Sequence, residues 1–158
     1  WKRFAMVAVA AIAISAVTYI ATPDGFIFFG ILHEIALASL LGLAFLRLPA
    51  LLTAIVAAAV IAAPSYLRSE VFDHPALWWV GLSATNPRSN DYVPQFPWFG
   101  AVLAGMAAVK LASASGLLAW LGTWTPSRWS NPLTFIGRHS LAFYLIHQPV
   151  LFGSVWLL

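Results

Sequence analysis

Apolar residues run almost unbroken through five stretches of this chain, and polar residues collect between them. The stretches are about 3–21, about 29–46 (closed by Arg47 and Pro49), about 50–66 (rich in alanine), about 97–112 and about 139–157. Each is close to the roughly 17–25 residues that carry a helix across a bilayer. The fourth, opening at Pro97 in a favourable first-turn position, is short enough to be broken or tilted. Alternating polarity over about ten residues, which barrel strands require, does not occur. The pattern therefore predicts an all-α fold, a polytopic transmembrane helix bundle of about five spans. Lys2 and Arg3 before an apolar run suggest a signal peptide, but the run from Phe4 to Ala21 exceeds the usual hydrophobic region of about 7–15 residues. A transmembrane helix is the better expectation. With no internal repeat, residues 1–158 read as one membrane domain, expected to be part of a larger one.

Composition supports the lipid bilayer as the first partner. The chain is 61% hydrophobic and 8% charged, with a mean hydropathy of +0.86. Soluble domains carry about a quarter charged residues. There is no cysteine, which excludes disulfides, thiol nucleophiles and cysteine metal sites. Four scattered histidines do not make a zinc site, so no metal is expected. With the N-terminus placed in the cytoplasm, Lys2, Arg3, Arg47, Lys110, Arg128 and Arg138 fall inside, and only Arg68 and Arg88 fall outside. This obeys the positive-inside rule. Topology thus explains the basic residues, and nucleic acid is not expected as a partner. The acids Asp24, Glu34, Glu70, Asp73 and Asp91 all fall on or near the outer side. That face suits a cationic or amine-bearing ligand. Trp120, Trp124 and Trp129 in the inner loop have the spacing of an interfacial aromatic belt.

Three constellations could carry chemistry. His33 and Glu34 stand early in the second span. His33 lies 14 residues before Arg47, or about 21 Å at about 1.5 Å per residue, hence in the outer half. A charge at that depth must be paired or solvated. The plainer alternative is interfacial anchoring. The pair is not a metal motif, because a second histidine would fall at Leu37. Next, Asn90 and Asp91 lead from the outer loop through Pro94 and Pro97 into the fourth span, where Gly100, Ala104 and Gly105 permit close helix contact. Asp91 could bind an acceptor or orient a histidine; alternatively it is a local hydrogen-bond acceptor of the turn. Finally, Tyr144, His147 and Gln148 share one helix face by their spacing. His147 is nine residues beyond Arg138, about 13 Å into a core of about 30 Å. Polar groups at that depth are costly and by default mark function. Arg138 could clamp a phosphate, or serve only as a positive-inside anchor. No phosphate-cradling glycine loop, nucleophile elbow or calcium loop is present.

The stretches Thr22-Pro-Asp-Gly-Phe-Ile-Phe-Phe-Gly-Ile-Leu-His-Glu-Ile-Ala, Asn90-Asp-Tyr-Val-Pro-Gln-Phe-Pro-Trp-Phe-Gly and Gly137-Arg-His-Ser-Leu-Ala-Phe-Tyr-Leu-Ile-His-Gln-Pro follow in family order. Together they resemble bacterial members of the heparan-alpha-glucosaminide N-acetyltransferase catalytic-domain family, within a wider group of multi-helix membrane acyltransferases. The resemblance implies transfer of an acyl group, typically acetyl, from cytosolic acyl-CoA to an amino sugar or other glycan across a bacterial inner membrane. Acyl-CoA is then a co-substrate, with no bound cofactor. Family members carry earlier helices with an arginine-glycine stretch and a histidine taken as catalytic. Nothing here matches that region, so the chain resembles the C-terminal part.

On this reading His147, His33 and Asp91 are the catalytic candidates, and Arg138 and Arg128 those for acyl-CoA. Glu34, Asn90, Tyr144 and Gln148 would contact substrate. A histidine would take the acceptor's proton as it attacks the thioester, or carry the acyl group itself. Tyr144 or Gln148 could donate to the developing oxyanion. Two other classes compete. A proton-coupled transporter would also use midplane histidine and outer carboxylates, though transporters usually show an internal repeat. A structural membrane subunit would use the polar residues only as glue between helices. The sequence leaves homo-oligomerisation open.

Overall fold

The computed structural model describes residues 1–123 and 131–156. Their regular structure is helical, apart from one isolated bridge between Ser69 and Ser83. In chain order the helices are α1 (Lys2–Ala21), α2 (Ile31–Leu43), α3 (Ala50–Tyr66), α4 (Gln95–Ala114), α5 (Leu117–Gly122), α6 (Asn131–Arg138) and α7 (Ser140–Trp156). The chain forms two compact units, 1–117 and 118–158. Among the described residues two helices, α1 and α4, are long and apolar enough to cross a membrane. The apolar helices α2, α3 and Ser140–Val155 are shorter.

In the first unit the packing centres on α3 and α4, with α2 laid against α4 and α1 against α2. Small residues make this close. Ala38 of α2, Ala57 of α3, and Phe99 and Leu103 of α4 form the core cluster, and Leu103 is 0% exposed. At Gly100 a β-carbon would sit 2.6 Å from Cγ1 of Ile61 and 2.9 Å from the Ala57 carbonyl oxygen, so glycine permits the α3–α4 approach. Gly105, expected in the same role, faces open space. The exterior is apolar: on α1, Met6, Val9, Ile12 and Ile20 are all well exposed.

Helix ends depart from the pattern where polar groups intervene. The chain leaves α1 at Thr22, before Pro23, whose ring disfavours helix in the residue ahead of it. The second apolar stretch predicted a span to residue 46, yet α2 ends at Leu43. Residues beyond it fold into tight turns, with Phe45 N–H bonded to the Gly42 carbonyl at 2.9 Å. Lys110 of α4 binds these turns. Its ammonium donates to the carbonyls of Phe45 and Leu48, both at 2.6 Å, and lies 3.4 Å from Oγ1 of Thr53. A cation thus ties the turn between α2 and α3 to α4. Phe96, in the first turn of α4, has extended backbone (φ −94°, ψ 126°), and its bond to Pro97 is cis.

In the second unit, α6 and α7 meet at His139. Its N–H reaches the carbonyls of both Phe135 and Ile136, at 3.2 and 3.1 Å. The interval predicted as an inner loop therefore carries the short helices α5 and α6.

Replacing Lys110 by methionine keeps the aliphatic stem and removes the donors. Two carbonyls lose charge-assisted bonds, so the variant should be less stable by about 2–3 kcal/mol. Unfolding of the purified protein in mixed detergent micelles measures this. A change below about 0.5 kcal/mol would mean that the bonds are dispensable.

Candidate functional site

The best-defined polar assembly lies at the N-terminus of α2, where residues 90–93 are strapped across residues 25–31. The Asn90 N–H bonds the Gly25 carbonyl at 3.0 Å, and the Val93 N–H bonds the Phe29 carbonyl at 3.1 Å. Between them Oδ2 of Asp91 accepts from the Ile31 N–H at 2.9 Å. That amide is one of the donors a helix start leaves unsatisfied, and a carboxylate there is also favoured by the helix dipole. Glycine makes the approach possible twice. A β-carbon on Gly30 would collide with the Asp91 carboxylate, and one on Gly25 with the Asn90 amide.

His33 stands in the first turn that Asp91 caps. Its Nδ1 accepts from the Gly30 N–H at 3.3 Å. Its Nε2 lies 3.1 Å from Oγ of Ser15 on α1. The Phe29 ring covers one side at a centroid distance of 5.7 Å, with Trp79 beyond it at 6.4 Å from Phe29. The ring is half-buried. Ser15 was absent from the sequence candidates. The available signal was weak: Ser15, Thr18 and Tyr19 carry the hydroxyls of an otherwise apolar C-terminal half of α1.

The next residue, Glu34, is 4% exposed. Among the described residues its Oε1 is buried without a hydrogen-bond partner, as are both polar atoms of the Gln95 amide, itself 3% exposed. Glu34 is four residues, about one helical turn, before Ala38 of the core cluster, and Gln95 is four residues before Phe99 of the same cluster, across the extended Phe96. Unpaired buried polar atoms are costly and rare in folded proteins. Gln95 also went unmarked in the sequence, where it reads as part of a proline-rich turn.

Residues 67–94 form an ordered cap. The Asp73 carboxylate accepts from Oγ of Ser83 at 2.5 Å and from the N–H groups of Ala84 and Thr85 at 2.8 and 3.3 Å. The indole of Trp78 donates to the Asp73 carbonyl at 2.9 Å, and the Tyr92 hydroxyl donates to the Trp78 carbonyl at 2.7 Å. The Phe28 ring packs against both Trp78 and Tyr92. Burial pushes the Tyr92 phenol above its ordinary range, against a smaller opposing pull from Arg68.

The remaining candidates lie in the second unit. Arg138 closes α6 and is exposed. Tyr144 and His147 do share a face of α7, with rings 5.3 Å apart. His147 is exposed in that unit, and its Nδ1 sits 2.5 Å from the Tyr144 carbonyl of its own helix. Arg128 and the Gln148 side chain lie outside what the structure describes. The structure thus joins Asp91, Asn90 and His33 in one assembly with Glu34 beside them, and describes Arg138, Tyr144 and His147 on α6 and α7.

The described residues define a helical protein with an apolar exterior that gathers a half-buried histidine and a buried carboxylate at one helix start. The particular family follows from comparison. The model for Heparan-alpha-glucosaminide N-acetyltransferase, catalytic, matches residues 1–149, and the chain belongs to that family of acetyl-CoA-dependent acetyltransferases. No curated relative and no solved structure matches the chain.

The cap over the site should respond to acid through Asp73. The Ser83 hydroxyl first, and the Thr85 and Ala84 amides after it, hold the Asp73 carboxyl below the usual carboxylate range. A group whose pKa is lowered on folding contributes stability above its ordinary value and loses it as pH falls through the lowered one. The cap should therefore stay closed down to about pH 3.9, the ordinary value for Asp, and open only below it. Amide exchange at Ala84 and Thr85 tests this. Asp73→Asn should expose both amides at neutral pH, and unchanged protection would contradict the assignment.

Proposed function

We propose that this chain carries the acceptor side of an integral-membrane acyltransferase. It would move an acetyl group from cytosolic acetyl-CoA to an amine or hydroxyl of a sugar or glycan on the outer side. The observation that carries the reading is family membership across residues 1–149. The exposed apolar faces support the membrane setting, since soluble proteins rarely expose such continuous surface. On this reading α1, α2, α3, α4 and α7 are the five spans, with the N-terminus cytoplasmic and the protein in a bacterial inner membrane.

Each residue then takes a role. His33 is the general base for the acceptor, because imidazole changes protonation near working pH. Asp91 holds the helix start that carries it. Glu34 and Asn90 bind the acceptor, and the unpartnered carboxylate oxygen of Glu34 suits a group that donates hydrogen bonds, such as an amine. His147 serves the acyl group, with Tyr144 and Gln148 as donors to the oxyanion. Arg138 and Arg128 bind the phosphates of acyl-CoA. The base receives the proton that the acceptor loses on attack, the thioester carbon–sulfur bond breaks, and CoA leaves as its thiolate.

The test uses the full-length protein in sealed vesicles, with labelled acetyl-CoA on the cytoplasmic side and a panel of amino sugars and glycans on the other. Wild type should yield acetylated acceptor. His33→Ala, at equal folded yield, should lose about 10²–10⁴-fold, the usual worth of a general base. Equal product from both would remove His33 from the chemistry. No product and no acetyl-CoA binding by wild type would overturn the acyltransferase reading.

A further inference from the structure

The hydrogen bonds around His33 allow one assignment of its protons. Thr18 and Ser15 of α1 grip the two sides of Ile27. Oγ1 of Thr18 accepts from the Ile27 N–H at 3.2 Å, and Oγ of Ser15 donates to the Ile27 carbonyl at 2.7 Å. Thr18 is itself anchored, donating to the Ile14 carbonyl at 2.8 Å. Ser15 has one hydroxyl proton, and a carbonyl can only accept, so that proton is committed to Ile27. Toward Nε2 of His33, 3.1 Å away, Ser15 then offers only a lone pair. Nε2 must carry the hydrogen. On the other side of the ring the Gly30 N–H can only donate, so Nδ1 must be the bare nitrogen.

We infer that Ser15 is a positioning residue that fixes His33 as the Nε2–H tautomer and leaves Nδ1 as its basic atom. This rests on the proposed role of His33 as base, and adds to it the atom that accepts the proton and the residue that sets it. The Gly30 N–H covers Nδ1 at 3.3 Å, beyond the usual 2.7–3.2 Å of such bonds. A substrate N–H or O–H can take its place. When the proton moves to Nδ1, Nε2–H stays on Ser15 and Ser15 stays on Ile27, so the ring keeps its orientation as it becomes charged. Neither Ser15 nor Ile27 touches the reacting atoms.

Nuclear magnetic resonance of the full-length chain labelled with ¹⁵N-histidine, with His33 assigned by its loss in His33→Gln, reads the tautomer directly. The expected spectrum shows Nε2–H as a slowly exchanging proton and Nδ1 unprotonated. Ser15→Ala should speed exchange of that proton at least about tenfold, the effect of losing one hydrogen bond of about 1.4 kcal/mol. Ser15→Thr should preserve it. If Ser15→Ala fails to fold, Ser15→Cys, whose thiol donates and accepts only weakly, replaces it. A proton on Nδ1 in wild type, or unchanged exchange in the variant, overturns the inference. In the vesicle assay Ser15→Ala should lower kcat about tenfold or more, leave KM for acetyl-CoA unaltered, and be rescued by Ser15→Thr. Loss of activity in His33→Ala but not in Ser15→Ala sinks the Ser15 role alone. Full activity in His33→Ala, with the tautomer as assigned, sinks the base role and leaves the hydrogen-bond assignment standing.

Discussion

The carboxylate of Asp91 on the Ile31 amide is the contact on which the site depends. It spans 60 residues of sequence and joins the loop before α4 to the first turn of α2. The bond satisfies a helix N-terminus that has little else to cap it, because Gly30 has no side chain to offer. Asp, Asn, Ser or Thr at that position would cap locally. Glycine instead opens the space through which a distant carboxylate enters, and any β-carbon there would collide with it. The two flanking bonds, Asn90 to Gly25 and Val93 to Phe29, set the register of the strap. Once the strap is closed, the turn that bears His33 has one geometry.

Polar groups are matched at the α2–α3 turn of the first unit and unmatched at the start of α2. At the α2–α3 turn, Lys110 spends its charge on carbonyls and is thereby a structural residue. At the other end, Glu34 and Gln95 are buried beside the core with polar atoms unmatched among the described residues. A sequence selected only for stability would place apolar residues there. A polar group retained at such cost is the usual mark of a functional position, and it sits one residue from the histidine that the strap orients.

Much of this was legible in the sequence, for identifiable reasons. The apolar stretches gave the helices because hydrophobic length is insensitive to tertiary detail. His33 and Asp91 stood out as polar residues in costly surroundings. Their connection did not, since nothing local in either segment reports a partner so far along the chain. The role of Lys110 escaped for the same reason: it read as a topological charge and proved to bind the turn between α2 and α3. Ser15 was hidden differently. A serine within a helix usually returns its hydroxyl to its own backbone, as Thr18 does to Ile14. Only the fold of residues 22–30 back along α1 brings Ile27 and His33 within its reach.

Amide hydrogen exchange of Ile31 and Val93 in the full-length protein, wild type against Asp91→Ala, tests the central dependence most directly. Both amides should be protected in wild type. Both should lose about tenfold or more of that protection in the variant, as a lost cap of about 1–2 kcal/mol implies. Amides of the α3–α4 core should be unaffected. Retained protection at Ile31 in Asp91→Ala would contradict that dependence, because the first turn of α2 would then form without the carboxylate.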